Sequence, residues 1–259
     1  HCTYAALTCR PLLCIFNAAY AFVRKAGSAA IRIWKEVRAE FKHFRSLLVL
    51  CRSDWTRQWS EYVCASDASE TGFGIASAFW PRDVVSACGR TTERSRFKRL
   101  PGGSARVHAL EAAGFELHGK VWVPTAVLPE HHEAVYGEWE VQDGFPEIPA
   151  EWLRSERWQT RLAKPWRFSE GIVHLEARAL VLALQRIAES AFGKNVCQLF
   201  LVDNMSVCLA FERSRSHGYA LLRLIRRFSA YLLSRNNRAS VRWIPSELNS
   251  ADKGSRLTD

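Results

Sequence analysis

The chain has 259 residues, enough for one large or two small packed domains, and 10 Trp with 14 Phe can fill a sizeable core. A net charge of +10 and a pI near 9.4 favour a polyanionic partner, with nucleic acid first and an anionic membrane surface second, although many basic proteins bind nothing acidic. No run of about 18 apolar residues occurs, so the sequence offers no membrane-spanning segment.

The eight cysteines (Cys2, Cys9, Cys14, Cys51, Cys64, Cys88, Cys197 and Cys208) form no C-x-x-C pair and sit mostly in apolar runs. They read as reduced core residues of an intracellular, cytoplasmic or nuclear protein, not as a zinc site or a disulfide framework. The start, HCTYAALTCRPLL, has neither an initiator Met nor a signal-peptide layout, and Met205 is the sole methionine. The chain therefore reads as a piece of a longer polyprotein.

Residues 1–50 carry a helical pattern. AAYAFVRKAG ends on Gly27, a helix stop. AAIRIWKEVRAEFKHFRSLLVL, 29–50, runs without Pro or Gly, and Ile31, Trp34, Val37, Phe41, Phe44 and Leu48 recur at three- and four-residue steps. Its other face carries Arg32, Lys35, Arg38, Lys42 and Arg45. That stripe either tracks a phosphate backbone or is the ordinary outer face of a surface helix.

From 61 the period changes. EYVCASD predicts a strand, SETG a turn and FGIASAFW a second strand, with Gly72 and Gly74 flanking Phe73 where the backbone must turn tightly or be approached closely. DVVSAC at 83–88 is the candidate third strand. Between about 90 and 170 the pattern breaks down into a basic opening, PGG at 101–103, a candidate short helix at 105–118 and an acidic stretch. Residues 130–156 hold eight acids against the single base Arg154. This span reads as an insertion with partial order, or a lid. His131, His132 and Glu133 lack the i, i+4 His spacing of a zinc helix and read as a solvated acidic loop.

Regular patterning returns at 174. HLEARALVLALQRIAES predicts a helix, and CQLFLVDN a strand buried on both faces. MSVCLAFER and GYALLRLIRRFSAYLLSRN predict two helices, the second with Arg223, Arg226 and Arg227 beside its apolar face. ASVRWIP predicts the last strand, and ELNSADKGSR a terminal turn or helix. The order implies an α/β domain with a mixed β-sheet flanked by helices over 56–259, preceded by a helical segment at 1–55.

Four acids stand out in this frame. Asp67 and Asp203 lie at or near strand ends, Glu176 in the first turns of a helix, and Asp252 after a strand and a Pro turn. Each has an ordinary explanation: a turn cap for Asp67, a helix-dipole acid for Glu176, an N-cap for Asp203 with Asn204, a surface acid near Lys253 and Arg256 for Asp252. Together they suggest a carboxylate cage for two divalent cations, the arrangement that cuts phosphodiester bonds by clamping attacking and leaving oxygens.

These motifs resemble the type I ribonuclease H domain attached to retroelement reverse transcriptases. CASDASETGFGIA resembles its first hairpin, HLEARALVLAL the helix with the catalytic Glu, LFLVDN the strand with the second Asp, and WIPSELNSADKGSR the last motif, with Asn249 three residues before the final Asp. The last motif is worded most like elements of the tyrosine-recombinase retrotransposon type. The resemblance covers about 61–89 and 171–259, and residues 1–55 are similar to the thumb or connection that precedes such domains. It implies a ribonuclease H-like fold and cleavage of the RNA strand of RNA–DNA hybrids within a reverse transcriptase polyprotein. It also implies two Mg²⁺ or Mn²⁺ ions on Asp67, Glu176, Asp203 and Asp252. Asn204, Asn249, Arg223, Arg226, Arg227, Lys35, Arg38 and Lys42 are the candidate nucleic-acid contacts.

The chain departs from the family in two ways. Asp67 and Glu176 are separated by the 90–170 span, and SRNNRASVRWIPSELN lacks the His that cellular members place before the last Asp. No Tyr-x-Asp-Asp polymerase motif is present. The alternatives are a catalytically inactive nucleic-acid-binding module and an integrase- or transposase-type nuclease, the latter disfavoured because the helical Glu precedes the Asp203 strand.

Overall fold

The structure, a computed structural model, describes residues 2–27, 29–99, 115–118, 121–124, 139–142 and 144–256. It forms two compact units, His1–Glu93 with Pro146–Asp259, and Arg94–Phe145.

In chain order the elements are α1 (Cys2–Leu7), α2 (Ala18–Ala26), α3 (Lys35–Leu47), β1 (Gln58–Trp59), β2 (Tyr62–Ala68), β3 (Gly72–Phe79), α4 (Arg82–Arg90) and β4 (Phe97–Arg99). Next come β5 (Phe115–His118), β6 (Val121–Pro124), β7 (Trp139–Val141), α5 (Ala150–Leu153), β8 (Gln159–Pro165) and α6 (Ile172–Glu189). The chain continues with β9 (Val196–Val202), α7 (Met205–Arg213), α8 (Tyr219–Arg235), β10 (Arg238–Trp243) and α9 (Asp252–Ser255).

The larger unit is built on one mixed sheet. β3 pairs antiparallel with β2 and with β8, whereas β9 pairs parallel with β2 on one side and β10 on the other. The short β1 pairs parallel with the first residues of β9. Across the sheet the order is β8, β3, β2, β9, β10, which is the 3-2-1-4-5 order of a ribonuclease H-like fold when β2 is counted first. The expected α/β class is therefore the observed one.

Period-2 alternation distributes the core over both faces. Phe200 and Val202 join Cys64, Ile75 and Val241 on one side, beneath α6 and α8. Leu199 and Leu201 join Val63, Ala65, Ala76 and Ala78 on the other, with Val85 of α4 and Trp152 of α5. A buried ion pair closes this second side. Arg242 Nε meets Glu93 Oε1 at 2.6 Å, and the remaining guanidinium nitrogens donate to the Cys88 and Pro146 carbonyls at 2.7 and 2.6 Å. Both side chains are fully buried, and such a pair is tolerable because the guanidinium finds acceptors for its whole fork.

Residues 1–55 pack within the same unit as the sheet. The Phe16 and Phe44 rings pack at a tilt with centroids 4.9 Å apart, and Glu40 accepts from the Asn17, Ala18 and Ala19 amides at 3.0, 2.7 and 2.8 Å. A carboxylate on the free amides of α2 satisfies donors that have no partner within the helix. Arg226 of α8 then donates to the Cys14 and Ile15 carbonyls at 3.0 Å each.

Three sequence expectations change. The helix expected over 29–50 starts only at Lys35, because Trp34 stays extended (ψ 152°) and sits edge-on to Phe22 at 5.3 Å. DVVSAC is not a strand but part of α4: Pro81 at its start favours a helix, and Val85 and Gly89 are buried on one face. The 90–170 span contains sheet strand β8, which edge position leaves mostly exposed and thus without an alternating apolar signal.

In the smaller unit, β4 pairs antiparallel with β7 and β5 with β6. Phe115–His118, the end of the expected helix 105–118, is therefore a strand, while 105–114 and the His131-His132-Glu133 run lie outside the described residues. Among the described residues no helix is long and apolar enough to cross a membrane.

Gly74 fixes how the C-terminal helix seats on the sheet. A Cβ there would meet the Ala251 carbonyl oxygen at 2.2 Å and the Ser255 amide at 2.8 Å, so α9 lies directly on β3 because the side chain is absent. Gly74→Ala is expected to lower stability in urea titration by about 3 kcal/mol, the upper range for overpacking. Gly218→Ala, whose Cβ would meet nothing closer than 3.8 Å, is expected to stay within about 1 kcal/mol.

Candidate metal centre

The parallel register of β2 on β9 positions the first two acids. Cys64 lies opposite Phe200 and Ala65 opposite Leu201, and the same offset carried two residues further sets Asp67 opposite Asp203. On its other side Asp67 pairs with Gly74 of β3. Glu176 occupies the sheet-facing stripe of α6 with Leu180, Leu184 and Ile187, a position where helical periodicity would otherwise place a leucine.

Asp67, Glu176 and Asp203 each offer an oxygen within 4.8 Å of the other two. Asp67 and Glu176 are buried, at 5% and 6% exposure. Asp67 Oδ2 accepts a short hydrogen bond from the Ser255 hydroxyl. Among the described residues, Glu176 Oε2 and Asp203 Oδ1, both buried, have no hydrogen-bond partner. A buried polar atom left unsatisfied costs about 1–3 kcal/mol, more when charged. Two such atoms on members of one carboxylate cluster are what a bound cation would satisfy, and an all-oxygen donor set suits a hard divalent ion such as Mg²⁺ or Mn²⁺ better than zinc. The triad thus fits a metal ion.

The electrostatics agree. Burial, with the Asp203 and Asp67 charges adding to it, pushes the Glu176 carboxyl up to about 9. Burial also raises Asp67 to about 6, reinforced by Asp203 and Asp252 and opposed by the Ser255 hydroxyl. Carboxylates packed without a counter-charge resist ionising together.

Asp252 lines the same cleft of about 390 Å³ as the triad, together with Ser69, Glu70, Ile172, Ser246, Ser255 and Arg256. It lies outside the close triad, and its Oδ1 accepts from Arg256 Nε at 2.8 Å. Ser255 and Ser69 escaped the sequence reading. Ser69 donates to the Ser255 carbonyl at 2.7 Å, so the hairpin turn, α9 and Asp67 form one linked group. Their small polar side chains carry no sequence signal of their own; only the close approach at Gly74 reveals the junction.

Several expected nucleic-acid contacts have other employment. Asn204 caps α7, its side chain accepting from the Val207 amide at 3.1 Å, so the cap is Asn204 and the Asp203 side chain is left for the triad. Asn249 is buried: its Nδ2 donates to the Ser66 carbonyl at 3.2 Å and its Oδ1 accepts from the Ala251 amide at 3.1 Å, fixing the last motif to β2. Arg226 holds the N-terminal segment through the Cys14 and Ile15 carbonyls, and Arg227 donates to Gln185 Oε1 at 3.1 Å. Lys35, Arg38, Lys42 and Arg223 are exposed, and none of them lines the cleft.

No protein-family model and no curated protein matches the sequence. Among solved structures the chain is similar to a foamy viral protease-reverse transcriptase in complex with an RNA/DNA hybrid, at 12% identity and a TM-score of 0.29. The match covers 94% of this chain and 45% of that one, so the chain spans less than half the length of that protein. Sheet order and register, not that likeness, define the fold.

A carboxyl whose folded value lies above its unfolded value keeps its proton only in the folded state across the window between the two. For Glu176 that window runs from 4.5 to about 9 and for Asp67 from 3.8 to about 6. Metal-free protein is therefore expected to lose stability as pH rises from 5 to 9 in EDTA, by thermal melts. Glu176→Gln should flatten most of that decline and raise the melting temperature at pH 8. A flat wild-type profile, or an unchanged one in the variant, contradicts the buried-carboxylate assignment.

Proposed function

We propose that this chain is a divalent-cation-dependent endonuclease that cleaves the RNA strand of RNA–DNA hybrids, as part of a reverse transcriptase polyprotein. One observation carries the reading: Asp67, Glu176 and Asp203 converge beside a 3-2-1-4-5 sheet with two buried carboxylate oxygens unpartnered.

The triad would hold one cation, and Asp252 stands on the same cleft to share a second. Two such ions supply stabilisation of the leaving oxygen and a water deprotonated near neutral pH. The chain's own part is to fix donors. The β2–β9 register sets Asp67 and Asp203, α6 brings Glu176 beside them, and the Ser255 hydroxyl orients Asp67. Because these groups come from strands and a packed helix, the site needs little reorganisation before reaction.

The net charge of +10 supports a polyanionic substrate. Lys35, Arg38 and Lys42 on α3 and Arg223 on α8, all exposed, are the cations proposed to meet its backbone. The wide minor groove of a hybrid presents the 2′-hydroxyls that distinguish the RNA strand.

In a cleavage assay with a labelled hybrid and Mg²⁺ or Mn²⁺, wild type is expected to cut only the RNA strand. Asp203→Asn should reduce the rate by about a hundredfold or more, roughly 3 kcal/mol of barrier. Hybrid binding without cleavage by folded wild type would contradict the catalytic reading and favour a binding module.

A further inference from the structure

Asp252 faces the cleft and its charge reaches Asp67, yet it stands apart from the close triad. What engages it is Arg256, one helical turn on, through Nε alone at 2.8 Å. Among the described residues lining the cleft, Arg256 is the single cation beside Asp67, Glu70, Glu176, Asp203 and Asp252. Its side chain is 67% exposed. The rest of its planar fork of donors therefore faces solvent at the cleft wall, where a phosphodiester approaching the triad would pass. An exposed i, i+4 pair is weak because solvent screens it, so it exchanges partners readily.

We propose that Arg256 is both a substrate-phosphate ligand and a latch on Asp252: its guanidinium leaves Asp252 for a non-bridging oxygen of the phosphodiester entering the cleft, and Asp252 then turns to the second cation, on its own side of the cleft. The proposal rests on the nuclease reading. In the free protein the Arg256 charge opposes a cation at the Asp252 side of the cleft and occupies the carboxylate that would help bind it. With the phosphate present the same charge is neutralised by substrate. Substrate and cation binding then reinforce each other, and by linkage each raises the affinity of the other equally. An Arg suits this exchange because its fork forms charge-assisted bonds to phosphate that are stronger and better directed than the single bond it gives up.

The latch makes two opposite predictions for one substitution. Mn²⁺ binding to the full chain is measured by calorimetry without nucleic acid. Hybrid binding is measured by fluorescence anisotropy in Ca²⁺ over a salt series. Arg256→Ala is expected to bind Mn²⁺ about three- to tenfold tighter, since a repelling charge is gone and Asp252 is released. The same variant is expected to bind the hybrid about fivefold more weakly, with a log–log salt slope smaller by about 1 because one phosphate is no longer neutralised. Arg256→Lys keeps the charge and is expected to restore the salt slope. Unchanged Mn²⁺ affinity in Arg256→Ala, or an unchanged salt slope, overturns the latch while leaving the nuclease reading intact. Wild type that binds no Mn²⁺, or Asp203→Asn that binds it equally well, overturns the nuclease reading and the latch with it. Arg256 is exposed and packs into no core, so loss of folding does not confound the comparison.

Discussion

Everything at the site depends on three carboxylates being held with an oxygen of each within 4.8 Å of the others, two of the three side chains buried. The β2–β9 register, carried past its last pair, sets Asp67 opposite Asp203, and the sheet-facing stripe of α6 brings Glu176 within 4.8 Å of both. A protein core resists such an arrangement, because each charge loses hydration and meets the others at short range. The fold sustains it with one hydroxyl, that of Ser255, and leaves Glu176 Oε2 and Asp203 Oδ1 without partners. A stability-driven sequence would fill this place with leucine and serine; other buried polar atoms, such as Trp80 Nε1 and Gln198 Oε1, also go unpaired among the described residues, but here two such atoms belong to one carboxylate cluster, and that concentration of cost marks a site.

The rest of the larger unit keeps that cluster in place. Glycine at 74 lets α9 lie on β3, which sets Ser255 on Asp67 and Asp252 on the cleft wall. Asn249, buried between the Ser66 carbonyl and the Ala251 amide, fixes the loop that leads there. On the far face Arg242 and Glu93 tie β10 to the end of α4. Cation affinity at the site is therefore linked to the stability of the whole sheet, since a ligand that binds only the folded form adds to its stability.

Much of this was legible in the residues, for physical reasons. β2, β3 and β9 are central, so their apolar content is high and their ends are marked by a turn or an acid. α6 and α8 bury wide stripes that show in their periodicity. The convergence of Asp67, Glu176 and Asp203 follows once those elements are assigned. What stayed hidden lacks a local signature. β8 is an edge strand with few buried residues, and α4 looked like a strand because Val84 and Val85 have high β-propensity while the deciding cue is Pro81. Asn249 and Arg226 have side chains suited to nucleic acid, and only tertiary contacts reveal that they hold the protein's own backbone.

The most direct test of the central claim, that the buried triad is a cation site, is anomalous diffraction from crystals of this chain grown with Mn²⁺. The account predicts a peak bonded to oxygens of Asp67, Glu176 and Asp203, with Glu176 Oε2 or Asp203 Oδ1 among the ligands. A well-ordered triad with no peak at saturating Mn²⁺, or a peak only at other acids, would contradict it.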